Sequence, residues 1–201
     1  MRIKGIKIRL SFLFALMAAF LIGSGAGESF MITVVSALLH EAGHLLCLIS
    51  YDAPPSEIII GAAGFKMKMS GKILSYRQET VVSLAGVFVN FLIASLLSIF
   101  YCFAGGDNRL LMPIYANLGL GVVNLLPIEP LDGGRALYFW LCQKRTEAHA
   151  GRITDKVGLA FLMPLFILSF IILVKSGYNI TLLCISIYLG ISLIARAGAK
   201  R

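Results

Sequence analysis

Six apolar stretches, with lysine and arginine gathered in alternate connections, leave this chain few ways to fold. They lie at about residues 10–23, 30–50, 80–103, 110–126, 157–174 and 180–195. Each is long enough, or nearly so, to cross a hydrocarbon core of about 30 Å. Lipid offers backbone polar groups no partner, so segments that cross it are helical. Composition agrees, because 58% of the residues are hydrophobic and only 14% charged. Soluble domains run nearer half apolar and about a quarter charged. The reading is an all-α polytopic membrane protein with about six transmembrane helices, forming a single domain over residues 1–201.

The charges between these stretches give a direction to each. Arg2, Lys4, Lys7 and Arg9 precede the first stretch, and Lys66, Lys68, Lys72 and Arg77 follow the second. Arg135, Lys144, Arg145, Arg152 and Lys156 follow the fourth, and Arg196, Lys200 and Arg201 close the chain. With the N-terminus inside, sixteen of the eighteen basic residues face the cytoplasm, and only Arg109 and Lys175 do not. Such a split predicts a multi-pass protein of the cell membrane with both termini cytoplasmic. A formal charge of +8 would suggest nucleic acid in a soluble protein, but here it reads as basic loops beside anionic lipid. No nucleic-acid partner is expected. The basic start and short apolar core of residues 1–23 also match a signal peptide. Cleavage there would leave the new N-terminus outside, against the charge split, so retention is expected.

Between the second and third stretches the pattern changes. Pro54-Pro55 stops a helix, and Ile58-Ile59-Ile60 and Phe65-Lys66-Met67-Lys68-Met69 have strand character. A small β-hairpin at the membrane surface is expected here, with an edge able to hold a peptide extended by adding it as a strand; the alternative is an ordinary connecting loop with solvated lysines. Cys47, Cys102, Cys142 and Cys184 are scattered singly, without the paired spacing of a thiolate metal site.

The second stretch contains Leu39-His40-Glu41-Ala42-Gly43-His44-Leu45-Leu46. Residues i and i+4 share one face of a helix, so both imidazoles can point at one ion. Glu41 projects beside that face, where a carboxylate can deprotonate a metal-bound water. Ionisable residues at membrane depth are costly and mark function. Two of the chain's three histidines stand here at ligand spacing; the third, His149, sits in a charged stretch and reads as solvated. The alternative, histidines bonded to neighbouring helices by chance, leaves that spacing unexplained.

A second constellation closes the fourth stretch: Asn124-Leu125-Leu126-Pro127-Ile128-Glu129-Pro130-Leu131-Asp132-Gly133-Gly134-Arg135. Two prolines and two glycines predict broken backbone from Pro127 to Arg135, then a short interfacial helix from about Ala136 to Gln143. Asp132 on such a bend can bring a carboxylate toward the histidines, since the second and fourth stretches run in the same direction. Two histidines and one carboxylate leave a fourth tetrahedral position open, as in catalytic zinc sites.

His40-Glu41-Ala42-Gly43-His44, together with Asn124-x-x-Pro127-x-x-Pro130-Leu131-Asp132-Gly133-Gly134, resembles the site-2 proteases, the intramembrane zinc metalloproteases. Ala85-Gly86-Val87-Phe88-Val89-Asn90 looks like that family's Gly-Pro-x-x-Asn, with Val87 in place of proline. The resemblance covers about residues 30–145. It implies Zn2+ held by His40, His44 and Asp132, with Glu41 as general base. It also implies that Asn124 and Asn90 position the substrate or donate to the developing oxyanion, the alternative for each asparagine being an interhelical hydrogen bond. Six spans and a cytoplasm-facing site look most like the stage IV sporulation protein FB subgroup, whose members cut a membrane-tethered sigma-factor precursor. Members of that subgroup often carry a C-terminal CBS domain, which this chain is expected to lack. The expected partners are a membrane-tethered protein substrate, the lipid bilayer and regulatory membrane proteins. The rival readings are a metal transporter and an inactive scaffold. A transporter needs a polar path through both leaflets, and the last two stretches offer almost none. A dead scaffold would be expected to lose Glu41 or a ligand.

Overall fold

A computed structural model describes residues 2–3, 6–10, 27–61, 64–69, 71–103, 105–177 and 180–199. The first expected span therefore lies almost wholly outside the described residues. The chain divides into two compact units, Met1–Ser75 with Ala85–Gly121, and Tyr76–Leu84 with Val122–Arg201.

The first unit opens with strands β1 (Arg2–Ile3) and β2 (Ile6–Leu10) and continues into helix α1 (Gly27–Ser50). Glu28 in the first turn of α1 complements the positive end of the helix dipole. The helix ends where Asp52 takes a left-handed conformation (φ 54°) and the Ala53 N–H donates to the Leu48 carbonyl at 3.0 Å. Aspartate is among the few side chains that tolerate this conformation. Pro54 and Pro55 follow, and strand β3 (Pro55–Gly61) begins. It pairs antiparallel with β4 (Gly64–Met69), placing Ile58 opposite Met67, and parallel with β2, placing Ile8 opposite Ile58. The sheet order is β1-β2-β3-β4. Strands at Arg2–Ile3 and Ile6–Leu10 are a departure from the sequence reading, which took this segment as a basic flank. The alternation Ile6-Lys7-Ile8-Arg9-Leu10 supplies the strand period.

Helix α2 (Tyr76–Phe103) runs through both units, and its Ala85–Phe103 portion belongs to the first. A single 3-10 turn, Asn108–Leu110, capped by the Asp107 side chain on the Arg109 N–H, leads into α3 (Leu111–Leu125). Within the first unit α1 and α2 touch backbone to backbone. A Cβ on Gly43 would meet the Ala85 carbonyl oxygen and Val89 Cγ2, each at 2.8 Å. Small residues permit such approaches between membrane helices.

The second unit holds the ends of α2 and α3, then α4 (Asp132–Cys142), α5 (Glu147–Ser176) and α6 (Thr181–Ala199). Its apolar centre is Ile128, Leu162, Leu189 and Leu193, with Leu126, Leu131 and Leu165 packed on it. Two boundaries differ from the sequence reading. The fifth stretch was expected to begin near 157, yet α5 starts at Glu147, because Glu147 to Lys156 contains no helix breaker but Gly151. Asp132 was expected on broken backbone, yet it is the first residue of α4. Gly133 and Gly134 make this possible: a Cβ on either would collide with backbone of Leu125–Leu126 or Ile128–Glu129. Helix α5 ends at Gly177, left-handed at φ 73°, whose N–H donates to the Leu173 carbonyl at 2.8 Å.

The helices bury small and polar residues and expose large apolar ones. In α5 the buried set is Ala150, Gly151, Thr154, Gly158, Leu162 and Ser169, while Phe161, Phe166, Ile167, Phe170 and Ile171 are exposed. This inverts the soluble pattern and suits a solvent as apolar as leucine. Among the described residues three helices are long and apolar enough to cross a membrane: α1, α2 and α5.

Candidate metal centre

The buried face of α1 carries Ser36, His40, Gly43, His44 and Leu48, one stripe at helical spacing. His40 and His44 are 5% and 8% exposed, and the ring planes stand at 83° to each other. Their Nε2 atoms lie 3.2 Å apart. Two nitrogens bound to one tetrahedral zinc at about 2.0–2.1 Å stand about 3.3 Å apart. The pair therefore already has the separation that chelation demands.

Gly86 on α2 lies directly against these rings. A Cβ there would come within 2.5 Å of His44 Nε2 and 2.8 Å of His40 Nε2. Any other residue would occupy the space in front of the ligand atoms, which gives the glycine of the Gly86–Asn90 segment a physical reason.

Behind His40 lies a closed polar chain. Its Nδ1 meets Asn90 Oδ1 at 2.5 Å, and Asn90 has no exposure. Asn90 Nδ2 donates to Asn117 Oδ1 at 2.9 Å and to the Ser36 carbonyl at 3.4 Å. Asn117 Nδ2 in turn donates to Ser36 Oγ at 3.0 Å and to the Pro113 carbonyl at 2.9 Å. Ser36 Oγ donates to the Ile32 carbonyl at 2.9 Å. Interhelical bonds of this type are worth only about 0.6 kcal/mol each on average in a membrane. Their main effect is therefore orientation, not stability. Asn90 read from the sequence either as a substrate contact or as an interhelical hydrogen-bonding residue; in the structure its amide oxygen and both amide hydrogens meet partners inside the protein. Asn117 and Ser36 were not singled out in the sequence, although an asparagine in the middle of an apolar stretch was the available signal.

The other site residues stand as follows. Glu41 is half-buried on α1, one residue past His40. Asn124 is half-buried in the last turn of α3. Asp132 is 8% exposed at the N-terminus of α4, where the helix dipole favours a carboxylate. His40, His44 and Asp132 are each buried, and each offers one ligand atom of a kind that zinc takes.

Beside Asp132 in the second unit, a cavity of about 310 Å³ is lined by Glu129, Pro130, Arg135, Ser192 and Arg196. Glu129 and Arg196 form an ion pair there, and the guanidinium also lies over the Tyr138 ring at 5.4 Å. Burial, then a hydrogen bond with Cys142, pushes the Tyr138 phenol up to about 12, so it stays neutral beneath the cation.

Comparisons with known proteins agree with this chemistry. The model of peptidase family M50 matches residues 103–165. A zinc metalloprotease of Methanocaldococcus jannaschii is 32% identical over 178 residues, covering 82% of this chain and 52% of that protein. The zinc metalloprotease RasP of Bacillus licheniformis is 37% identical over 71 residues, 31% of this chain and 16% of that protein. This chain thus spans about half the length of the first relative and a smaller part of the second. The solved site-2 protease from Methanocaldococcus jannaschii has a TM-score of 0.70 at 27% identity, covering 97% of this chain and 92% of that one. Family model, relatives and solved structure all support one assignment, the site-2 protease (M50) family of zinc metalloproteases.

Proposed function

We propose that this protein is an intramembrane zinc metalloprotease that hydrolyses a peptide bond in or near the membrane segment of a tethered protein. The observation that carries the reading is the 3.2 Å separation of the His40 and His44 Nε2 atoms, buried on one face of an apolar helix. His40, His44 and Asp132 would hold the metal, and their donor set of two imidazoles and one carboxylate suits zinc with one position left open. Zinc, when bound, supplies a Lewis acid that polarises the scissile carbonyl and makes water acidic enough to attack near neutral pH. Glu41 takes the proton from the attacking water and returns it to the leaving amine. Asn124 positions the substrate backbone. The absence of a Cβ on Gly86 leaves the space in front of the two Nε2 atoms clear.

The finer reading follows the charge split and the family likeness. Six spans place both termini and the site on the cytoplasmic side, and the β3–β4 hairpin lies at the membrane surface. Its edge holds a substrate extended, which a helix must become before it can be cut. The stage IV sporulation protein FB resemblance makes a membrane-tethered sigma-factor precursor the first substrate to test, with regulatory membrane proteins as partners. The test is co-expression with candidate tethered transcription factors, comparing wild type with Glu41→Gln. Release of the soluble factor by wild type alone supports the reading. Equal release by both sinks it.

A further inference from the structure

We propose that Asn117 is a positioning residue that fixes the tautomer of His40 through Asn90, and so presents a bare Nε2 to the metal. The inference rests on the zinc reading above, but its evidence is the direction of the hydrogen bonds. An asparagine amide can face either way, and an imidazole can carry its proton on either nitrogen. Here both ambiguities are removed by backbone carbonyls, which only accept.

The chain begins at Pro113. Its carbonyl lies 2.9 Å from one terminal atom of the Asn117 amide, so that atom must be the NH2 group. The same group donates to Ser36 Oγ, whose own hydrogen is committed to the Ile32 carbonyl. Asn117 therefore turns its oxygen toward Asn90, and the Asn90 atom facing it at 2.9 Å must be a donor. The Ser36 carbonyl, 3.4 Å from that same Asn90 atom, agrees with this orientation but is too distant to hold it alone. Asn90 is left with its oxygen against His40 Nδ1 at 2.5 Å, and that nitrogen must carry the proton. The lone pair of neutral His40 then lies on Nε2, the atom that stands 3.2 Å from His44 Nε2. Asn90, Asn117 and Ser36 are 0%, 2% and 2% exposed, so no water competes for these bonds. Metal-bound histidines commonly have their second nitrogen held in this way, and losing the partner costs about 10–100-fold in metal affinity. What this structure adds is that the setting is made two hydrogen bonds away from His40, on helix α3.

The experiment uses the full chain with 15N-labelled histidine in detergent, stripped of metal, at a constant pH where imidazoles are neutral. Only three histidines are present, so substitution of His149 and His40 assigns the signals. Wild type should show His40 as a single tautomer with the proton on Nδ1. Asn117→Leu removes the acceptor from Asn90, so both His40 tautomers should appear and zinc affinity, measured by chelator competition, should fall about 10–100-fold. Asn117→Asp, protonated so that one oxygen still donates to the Pro113 carbonyl, keeps its other oxygen toward Asn90 and should keep the single tautomer. If the leucine variant does not fold, Asn117→Ala takes its place. A proton on Nε2 in wild type overturns the proposal, as does a tautomer unmoved by loss of the Asn117 side chain. A fixed Nδ1–H tautomer in a wild-type protein that binds no zinc would keep this inference and defeat the metalloprotease reading instead.

Discussion

The Asn90 side chain oxygen stands 2.5 Å from His40 Nδ1, on the side of the ring away from His44. One asparagine thus faces the back of a ligand-type histidine while Gly86, four residues earlier on the same helix, lies against its front. Helix α2 thus meets both histidines in front and His40 behind.

Gly86→Ala places a methyl group 2.5 Å from His44 Nε2. Overpacking of this kind costs about 1–3 kcal/mol, and the rings that must move are the ones proposed to hold zinc. The variant should lose stability and retain zinc at least about tenfold more weakly, by analogy with disturbed ligand support. Gly119→Ala is the control, because nothing lies within 4 Å of a Cβ there. Thermal unfolding and metal content of the two variants should diverge; equal behaviour would remove the packing argument.

In the second unit Arg196 and Glu129 are paired at 27% and 13% exposure. Removing one partner of a poorly solvated pair leaves the other charge stranded, which costs more than the pair itself contributes. Arg196→Met should therefore destabilise by about 1–3 kcal/mol, the penalty for a buried group left unmet. Adding Glu129→Gln should recover most of it. Unfolding midpoints of the two single variants and the double variant give the coupling directly. Additive losses would mean that the pair is not coupled.

The charge split of sixteen to two gives a topology test. Single cysteines at positions 5, 70, 148 and 199, in a chain freed of its own four, should label from the cytoplasmic side. Cysteines at 26, 106 and 177 should label from the opposite side. Labelling of position 70 from outside would break the alignment of the two motif-bearing segments.

Chemistry and architecture separate at Glu41 and Asp132. Glu41→Gln keeps size and much of the hydrogen bonding but removes the base. Folding and zinc content should stay near wild type while cleavage of a tethered substrate falls at least about a hundredfold. Asp132→Asn should weaken zinc retention and activity together, since a neutral amide is a poor zinc ligand. Near wild-type cleavage by Glu41→Gln would leave the proposed mechanism without its base.

Much of this was legible in the sequence because membranes make patterns severe. A long apolar run has to be helical, and polar residues within one stand out, so α1, α2 and the spacing of His40 and His44 could be read directly. The strands at Arg2–Ile3 and Ile6–Leu10 were missed because their period-two alternation lies among basic residues that the charge rule had already explained. The start of α4 was misplaced because Gly133-Gly134 has two meanings. In isolation it breaks helices, but against the backbone of Leu125–Glu129 it is the sequence that lets a first turn approach. Asn117 was passed over because its role depends on the direction of a partner's amide, which only the three-dimensional arrangement reveals.

His40 and His44 are proposed to hold zinc through the two Nε2 atoms that stand 3.2 Å apart. X-ray absorption at the zinc edge of the purified protein, with metal analysis alongside, tests it most directly. About one zinc per chain is expected, with imidazole nitrogen and carboxylate oxygen neighbours at about 2.0–2.2 Å. The His40→Ala/His44→Ala double variant should lose that zinc. Equal zinc in the double variant and wild type, or a coordination shell without imidazole, would contradict the account.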